Sequence, residues 1–408
     1  MAGGFFGGGD GTVNAPYLVE DAADFNAVRN NLTAHYKQTA DIDLSIYNNN
    51  WLAIGNKLNQ FPDPFMGVYD GGNFDISNLT TNVATRDGGI FAVTVSATIK
   101  NVNIKNTHFI GGTPDMQWVG ILAAGFFMST VTRCSTQGSI NLERTMSSVV
   151  YDKNVGGFAS FVEESFVSEC FCDVSLDGTS VGGFATYISV GIVENCYAKG
   201  SISRLSDSDF MQVGGFAFSN DGEINKCYCF VTITNILSGR YSEGFVNQNN
   251  GTITDCYYDI ESGSVTDLWH PEQWYQEGTL LRGSDGRVYR CIFFTEEWNW
   301  EGWPVIGSRW QEFWELLVEP EAKTTAEMKN IATYTGWDFG TVWGIDSNAN
   351  NGYPYLQWVS GVKLTVVKII EAYTKVSGVV KRIDLNNVYT KQSGLIKKIT
   401  EWFTAVLK

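Results

Sequence analysis

The stretch VGGFASFVEESFVSECFCDVSL, from Val155 to Leu176, recurs as VGGFATYISVGIVENCYAKGSI from Val181 and as VGGFAFSNDGEINKCYCFVTI from Val213. Looser copies read GGIFAVTVSATIKNVNI from Gly88, VGILAAGFFMSTVTRCSTQGSI from Val119 and SEGFVNQNNGTITDCYYDI from Ser242. The marker glycines Gly89, Gly120, Gly157, Gly183, Gly215 and Gly244 stand 31, 37, 26, 32 and 29 residues apart. Equal content at unequal spacing means fixed strands joined by variable loops, which a stacked solenoid tolerates and a globular core does not. Each unit has one apolar face too small to bury alone. Stacked at about 4.8 Å per rung, the coils pair their backbones and lay like residues on like. The expected fold is all-β, a right-handed parallel β-helix. Cys134, Cys170, Cys196, Cys227 and Cys256 share one place in their copies and predict a ladder of buried free thiols instead of disulfides. Phe158, Phe184, Phe216 and Phe245 predict a parallel aromatic stack by the same logic.

The composition agrees. With 44% hydrophobic and 18% charged residues the 408-residue chain is not disordered, and its 43 glycines suit many tight turns. No stretch reaches the roughly 18 consecutive apolar residues of a membrane helix, so membrane insertion is not expected. The start, MAGGFFGGGDG, lacks the basic and apolar regions of a signal peptide. Residues 361–408 hold nine Lys or Arg against three acidic residues, a net +6, which leaves −22 on the rest of the chain. Such an acidic body repels nucleic acid. The cysteines show no zinc-ligand spacing with histidines, and no cofactor is expected.

The GG-F turn followed by an I-x-N-C-Y-like strand resembles the GLUG repeat family. Upstream, GTVNAPYLVEDAADFNAVRNNL resembles that family's capping start, with a short helix opened near Asp21. Downstream, AKTTAEMKNIATYTGWDFGTVWGIDSNANNGYPYL resembles its closing segment, a short helix on the last rung. The family is a scaffold of extracellular and phage-like proteins, and the resemblance speaks for fold more than for function.

Between DCYYDIESG and AKTTAEM stand about 60 residues of different composition, holding seven of the thirteen tryptophans. A loop of that length needs its own core. Trp269, Tyr275-x-x-Gly278-x-x-Leu281, DGRVYRC from Asp285, Pro304 and Trp310 resemble, in order, the chitin-binding type 3 class of carbohydrate-binding modules, a compact three-strand sheet. A sugar ring packs its C–H face on flat aromatic rings. Trp274, Tyr275, Trp300 and Trp303 are the expected carbohydrate contacts, with Trp269, Tyr289 and Trp310 assigned to the framework. The alternative is that all these rings build the core of a small domain.

The tail repeats YTKVSGVVKRI from Tyr373 as YTKQSGLIKKI from Tyr389, each a β-hairpin around Ser-Gly. These repeats resemble hairpins at the ends of phage tail and fibre proteins, which implies docking to other particle proteins or formation of a homo-oligomer, with a trimer favoured.

Catalytic motifs are sparse. GTSVG at Gly178–Gly182 matches a nucleophile elbow but sits before a repeat turn, so Ser180 is expected to be structural. His35, His108 and His270 lie far apart without a Cys or Asp cluster, and no metal site is expected. Asp346, Asn348 and Asn350 only partly resemble a calcium loop. Scattered pairs such as Glu163 with Glu164 keep a glycoside hydrolase or lyase open as a minor alternative.

The expected organisation is an N-terminal cap and first coils over 1–87, repeat coils over 88–261, the inserted module over 262–321, a closing segment over 322–360 and a basic hairpin tail over 361–408. The expected function is that of a phage or phage-like tail fibre or spike, located in the virion and binding a cell-surface or cell-wall polysaccharide without catalysis. A secreted surface adhesin is the alternative.

Overall fold

The computed structural model describes residues 6–55, 63–83, 85–111, 117–142, 153–203, 212–234, 242–262 and 320–360, with the backbone alone of short strands between 280 and 404. Contacts divide the chain into one unit over Met1–Leu356 and a second over Gln357–Lys408.

The first unit is a parallel β-helix of four-sided coils. One full coil runs Lys153–Gly156, Ala159–Glu163, Phe166–Ser168 and Phe171–Asp177, which we assign to sheets I, II, III and IV. Each strand pairs in parallel with its counterpart one coil on, as Val155 with Val181, Ala159 with Ala185, Val167 with Val193 and Cys172 with Ala198. Sheets I and II carry six strands each and sheet III nine, while sheet IV is the longest. Inward positions are apolar in every coil: Val119, Val155, Val181 and Val213 on sheet I, and Ile99, Val131, Val167, Val193 and Ile224 on sheet III, are fully buried.

The corners explain the repeated motif. At the corner from sheet I to sheet II, a Cβ on Gly156 would meet the carbonyl of Ala159 at 1.8 Å, and one on Gly157 would meet the Gly183 carbonyl of the next coil at 2.2 Å. The first glycine permits the turn and the second permits stacking. The structure corrects the alignment of the early copies: Gly120 pairs with Gly156, not with Gly157. Phe158 stacks on Phe184 at 4.7 Å, Phe184 on Phe216 at 5.0 Å and Phe216 on Phe245 at 4.9 Å, all near parallel, as expected.

The corner from sheet III to sheet IV turns on a left-handed residue, Arg133, Glu169, Asn195, Lys226 or Asp255, with φ between 49° and 54°. A cysteine follows each one. Its backbone N–H donates to the thiol of the next coil, from Cys134 to Cys170, Cys170 to Cys196, Cys196 to Cys227 and Cys227 to Cys256, each at 3.4 Å. Each thiol in turn donates to the carbonyl two residues back, as Cys170 does to Ser168 at 3.1 Å. Thus the thiol satisfies a buried N–H that the turn has taken out of the sheet. Burial pushes the thiols of Cys134, Cys170, Cys196 and Cys227 well above their ordinary pKa, and all are free.

The N-terminal helix Ala22–Ala27 is capped by Asp21, whose side chain accepts from Ala23 N and Asp24 N, both at 2.9 Å. Its Phe25 lies fully buried against Trp51, Tyr69 and Phe91. The closing segment begins with a short helix against the last strands of sheet IV and then extends further than expected. Its helix Thr325–Met328 carries a capping box, but the chain beyond it lies along the outside of sheet IV, where Trp337 and Trp343 cover Tyr197, Tyr228 and Tyr257. Trp343 Nε1 donates to Asn195 Oδ1 at 3.1 Å, so the segment reaches back across several rungs.

The second unit contains the two expected hairpins, Tyr373–Val376 with Val379–Arg382 and Tyr389–Gln392 with Leu395–Lys398.

Candidate functional site

The inserted module is rooted in sheet IV. The chain leaves that sheet after Tyr257–Asp259 and returns to it one rung on, at Glu321–Lys323, pairing Tyr257 with Glu321 and Asp259 with Lys323. The insertion thus stands, along the chain, between two adjacent strands of one sheet. Asp259, 4% exposed, ties the two ends together. Its Oδ1 accepts from Glu261 N at 2.8 Å and Ser262 N at 3.2 Å, while Oδ2 accepts from the Thr325 hydroxyl at 2.8 Å and from the Tyr353 hydroxyl. A buried carboxylate needs such a full set of donors, and this one thereby fixes both ends of the insertion. Burial, and then the hydrogen bond to Asp259, raise the Tyr353 phenol above its ordinary pKa, so it stays a donor at neutral pH.

Within the insertion the backbone forms three antiparallel strands, Leu280–Arg282, Val288–Phe293 and Phe313–Leu316, with Tyr289 opposite Leu281 on one side and Leu316 on the other. The four expected carbohydrate contacts, Trp274, Tyr275, Trp300 and Trp303, lie outside the described residues, as do Trp269 and Trp310.

Elsewhere the solenoid gathers two constellations that the sequence reading missed. On the outside of sheet IV, His108 Nδ1 lies 2.8 Å from Ser139 Oγ and its Nε2 lies 3.0 Å from Asn106 Oδ1. Asn106 donates through Nδ2 to Asn78 at 2.8 Å, which points its oxygen at the imidazole. That orientation makes Nε2 a donor to Asn106, while Nδ1 faces the Ser139 hydroxyl. Rung register alone brings these residues together. On the outside of sheet II, Phe161 stacks on Tyr187 at 4.7 Å, flanked edge-on by Trp118 at 4.9 Å and Phe218 at 5.4 Å. Arg86 lies over Trp118 at 4.6 Å. The stacked faces of Phe161 and Tyr187 cover each other and leave edges to solvent, a poor platform for a sugar ring.

Ser180 sits buried in the sheet I strand Ser180–Gly182, in line with the structural reading of GTSVG. In the segment suggestive of calcium, Asp346 Oδ1 accepts from Asn348 N at 2.7 Å, and Asn350 Nδ2 donates to the Tyr228 hydroxyl at 2.8 Å and the Pro354 carbonyl at 2.6 Å. These groups close the loop and clamp Tyr228. Among the described residues no three His, Cys, Asp or Glu side chains gather as a metal site, and no helix is long and apolar enough to cross a membrane.

No family model matches the chain. The chain is 29% identical to Halomucin of Haloquadratum walsbyi over 158 residues, 36% of this chain and 2% of that protein. It is 32% identical over 120 residues to a protein of Evansella cellulosilytica provisionally described as a Gly-rich membrane protein, covering 27% of this chain and 13% of that one. The chain therefore matches only a small part of either relative's length. Among solved structures, it superposes on a protein of Bacteroides ovatus provisionally described as an immunoglobulin A1 protease, with a TM-score of 0.55 and 19% identity over 88% of this chain and 96% of that one. At that identity the likeness shows a shared fold. It also corrects one expectation: a chain with this architecture is described as a protease, so the solenoid gives no ground for calling the protein non-catalytic.

Proposed function

We propose that this protein is a surface-exposed recognition protein whose β-helix holds the inserted module out to a cell-surface or cell-wall polysaccharide. The observation that carries this reading is the root of the insertion. Both ends of the tryptophan-rich insertion leave adjacent strands of one sheet and are locked by the buried Asp259, so the chain departs from and returns to a fixed base. The three antiparallel strands match in number the compact three-strand sheet that the resemblance implies. A position at a membrane is in keeping with the relative described as a membrane protein. A single module of this size binds sugar weakly, and several copies on one surface raise retention through effective concentration.

The test is retention on insoluble chitin and on bacterial cell wall. The intact protein is expected to be held, and the Trp274→Ala, Trp303→Ala double variant to be released while the solenoid keeps its melting temperature. Equal retention of the double variant removes this face from the proposal. Release of reducing ends or peptides from the bound material would add a catalytic activity to it.

The two tail hairpins favour a second reading, a fibre or spike component of a phage-like particle that docks through residues 361–408. Co-sedimentation of the chain with particles, lost on removal of the tail, separates this reading from a cell-surface adhesin.

A further inference from the structure

Of the nine large hydrophobic side chains exposed among the described residues, four stand on one edge of the solenoid, the corner from sheet II to sheet III: Met66 at 48%, Met128 at 54%, Phe166 at 36% and Val190 at 70%. Backbone hydrogen bonds from Val95 to Phe65, Ser96 to Phe127, Met128 to Glu163 and Glu164 to Ser189 align these corners in successive coils. At about 4.8 Å per rung, Met128 and Val190 stand two coils apart on this edge with Phe166 in the coil between them, and Ser96 separates them from Met66.

Two of them are held at a conformational penalty. Met128 has φ 49° and Val190 φ 53°, a left-handed backbone that disfavours side chains other than Gly, Asn or Asp, and a β-branched one most of all. The Val190 backbone bridges to Glu163, but an exposed β-branched side chain in this conformation gains little from its own chain, which points to a role outside it. The charges beside this edge share one sign. Glu163, Glu164, Asp221 and Glu223 lie at this corner, and in the coils from Phe91 to Thr254 neither Lys nor Arg occupies it or the adjoining strand ends. Two copies meeting edge to edge would set carboxylates against carboxylates, whereas a cationic partner would neutralise them.

We propose that this edge is a docking surface for a basic, apolar polypeptide segment of a partner protein. The apolar side chains of the segment cover Met128, Phe166 and Val190, and its lysines or arginines meet the four carboxylates.

The experiment measures anisotropy of a short labelled peptide alternating valine and lysine, titrated with the full-length protein at low salt, with the valine–glutamate counterpart as control. Binding of the lysine peptide alone is expected, weakening about tenfold in the Met128→Asn, Val190→Asn variant. Asparagine accepts the left-handed backbone, so the same variant is expected to melt about 1–2 °C higher than the parent. Affinity falling while stability rises separates docking from a structural role. No binding to the parent, equal binding of the two peptides, or self-association that the variant abolishes would each overturn the proposal.

Discussion

In the coils that turn on Ser96, Met128, Glu164 and Val190, a second left-handed corner uses the same device as the cysteine corner with different chemistry. At the corner from sheet III to sheet IV a cysteine follows the turn residue in five successive coils, and the thiol accepts the stranded N–H of the coil before. At the corner from sheet II to sheet III, Ser165 Oγ accepts from Ser129 N at 2.9 Å and donates to the Glu163 carbonyl at 2.8 Å, the same pattern in oxygen. There, however, the position drifts from Ala97 through Ser129 and Ser165 to Gly191, Gly222 and Gly251. Both positions are buried as far as Gly222, so a thiol, which fills more volume and is cheaper to desolvate than a hydroxyl, is kept at one corner, while alanine, serine or glycine fits the other. The residues just before the varying position include the exposed Met128 and Val190. Constancy therefore marks the corner where one side chain both fills volume and accepts the N–H.

This contrast can be broken in several ways. Cys196→Asp places a carboxyl in a fully buried apolar site and is expected to remove about 3–5 kcal/mol, read by denaturant unfolding. Cys196→Ala leaves the Cys170 N–H without its acceptor and is expected to cost about 1–3 kcal/mol, whereas Cys196→Ser, which copies the neighbouring corner, should lose less than half as much. Equal losses for alanine and serine would mean that packing, not the hydrogen bond, explains the ladder. Ser165→Ala likewise leaves the buried Ser129 N–H without its acceptor and should cost about 1 kcal/mol or more.

Acidity sharpens the same comparison. The folded thiols of Cys134, Cys170, Cys196 and Cys227 keep protons that the unfolded chain releases above about pH 8.5. Stability should therefore be flat below that value and fall as pH rises above it, by up to ~1.4 kcal/mol per unit for each thiol, less steeply in a serine-substituted ladder. Native protein should resist iodoacetamide at these positions and react once unfolded, as mass spectrometry would record.

The ladders were legible in the sequence because stacking makes equivalent residues neighbours. A repeated Phe or Cys therefore reads directly as a contact. The register of the early copies was not legible, since Ile121 and Leu122 stand where later coils have Gly157 and Phe158. Nor was the His108–Ser139 pair, whose members are 31 residues apart and share no motif. The closing helix is expected on the last rung and meets the last strands of sheet IV, whereas the match of the aromatic residues beyond it to the Tyr197–Tyr228–Tyr257 column was not legible. Of the candidate sugar site, the sequence offered side chains and the structure offers a root and three strands.

The root has a practical consequence. From Leu142 to Lys153 and from Ser203 to Gln212, length differences between coils gather where sheet IV passes to sheet I, and the insertion leaves from this same side. Asp177 to Ser180 is the shortest such link. Lengthening it should leave every ladder in register. A reporter domain or epitope grafted there would ride on the scaffold as the natural graft does, making this seam the place to re-equip the molecule without redesigning it.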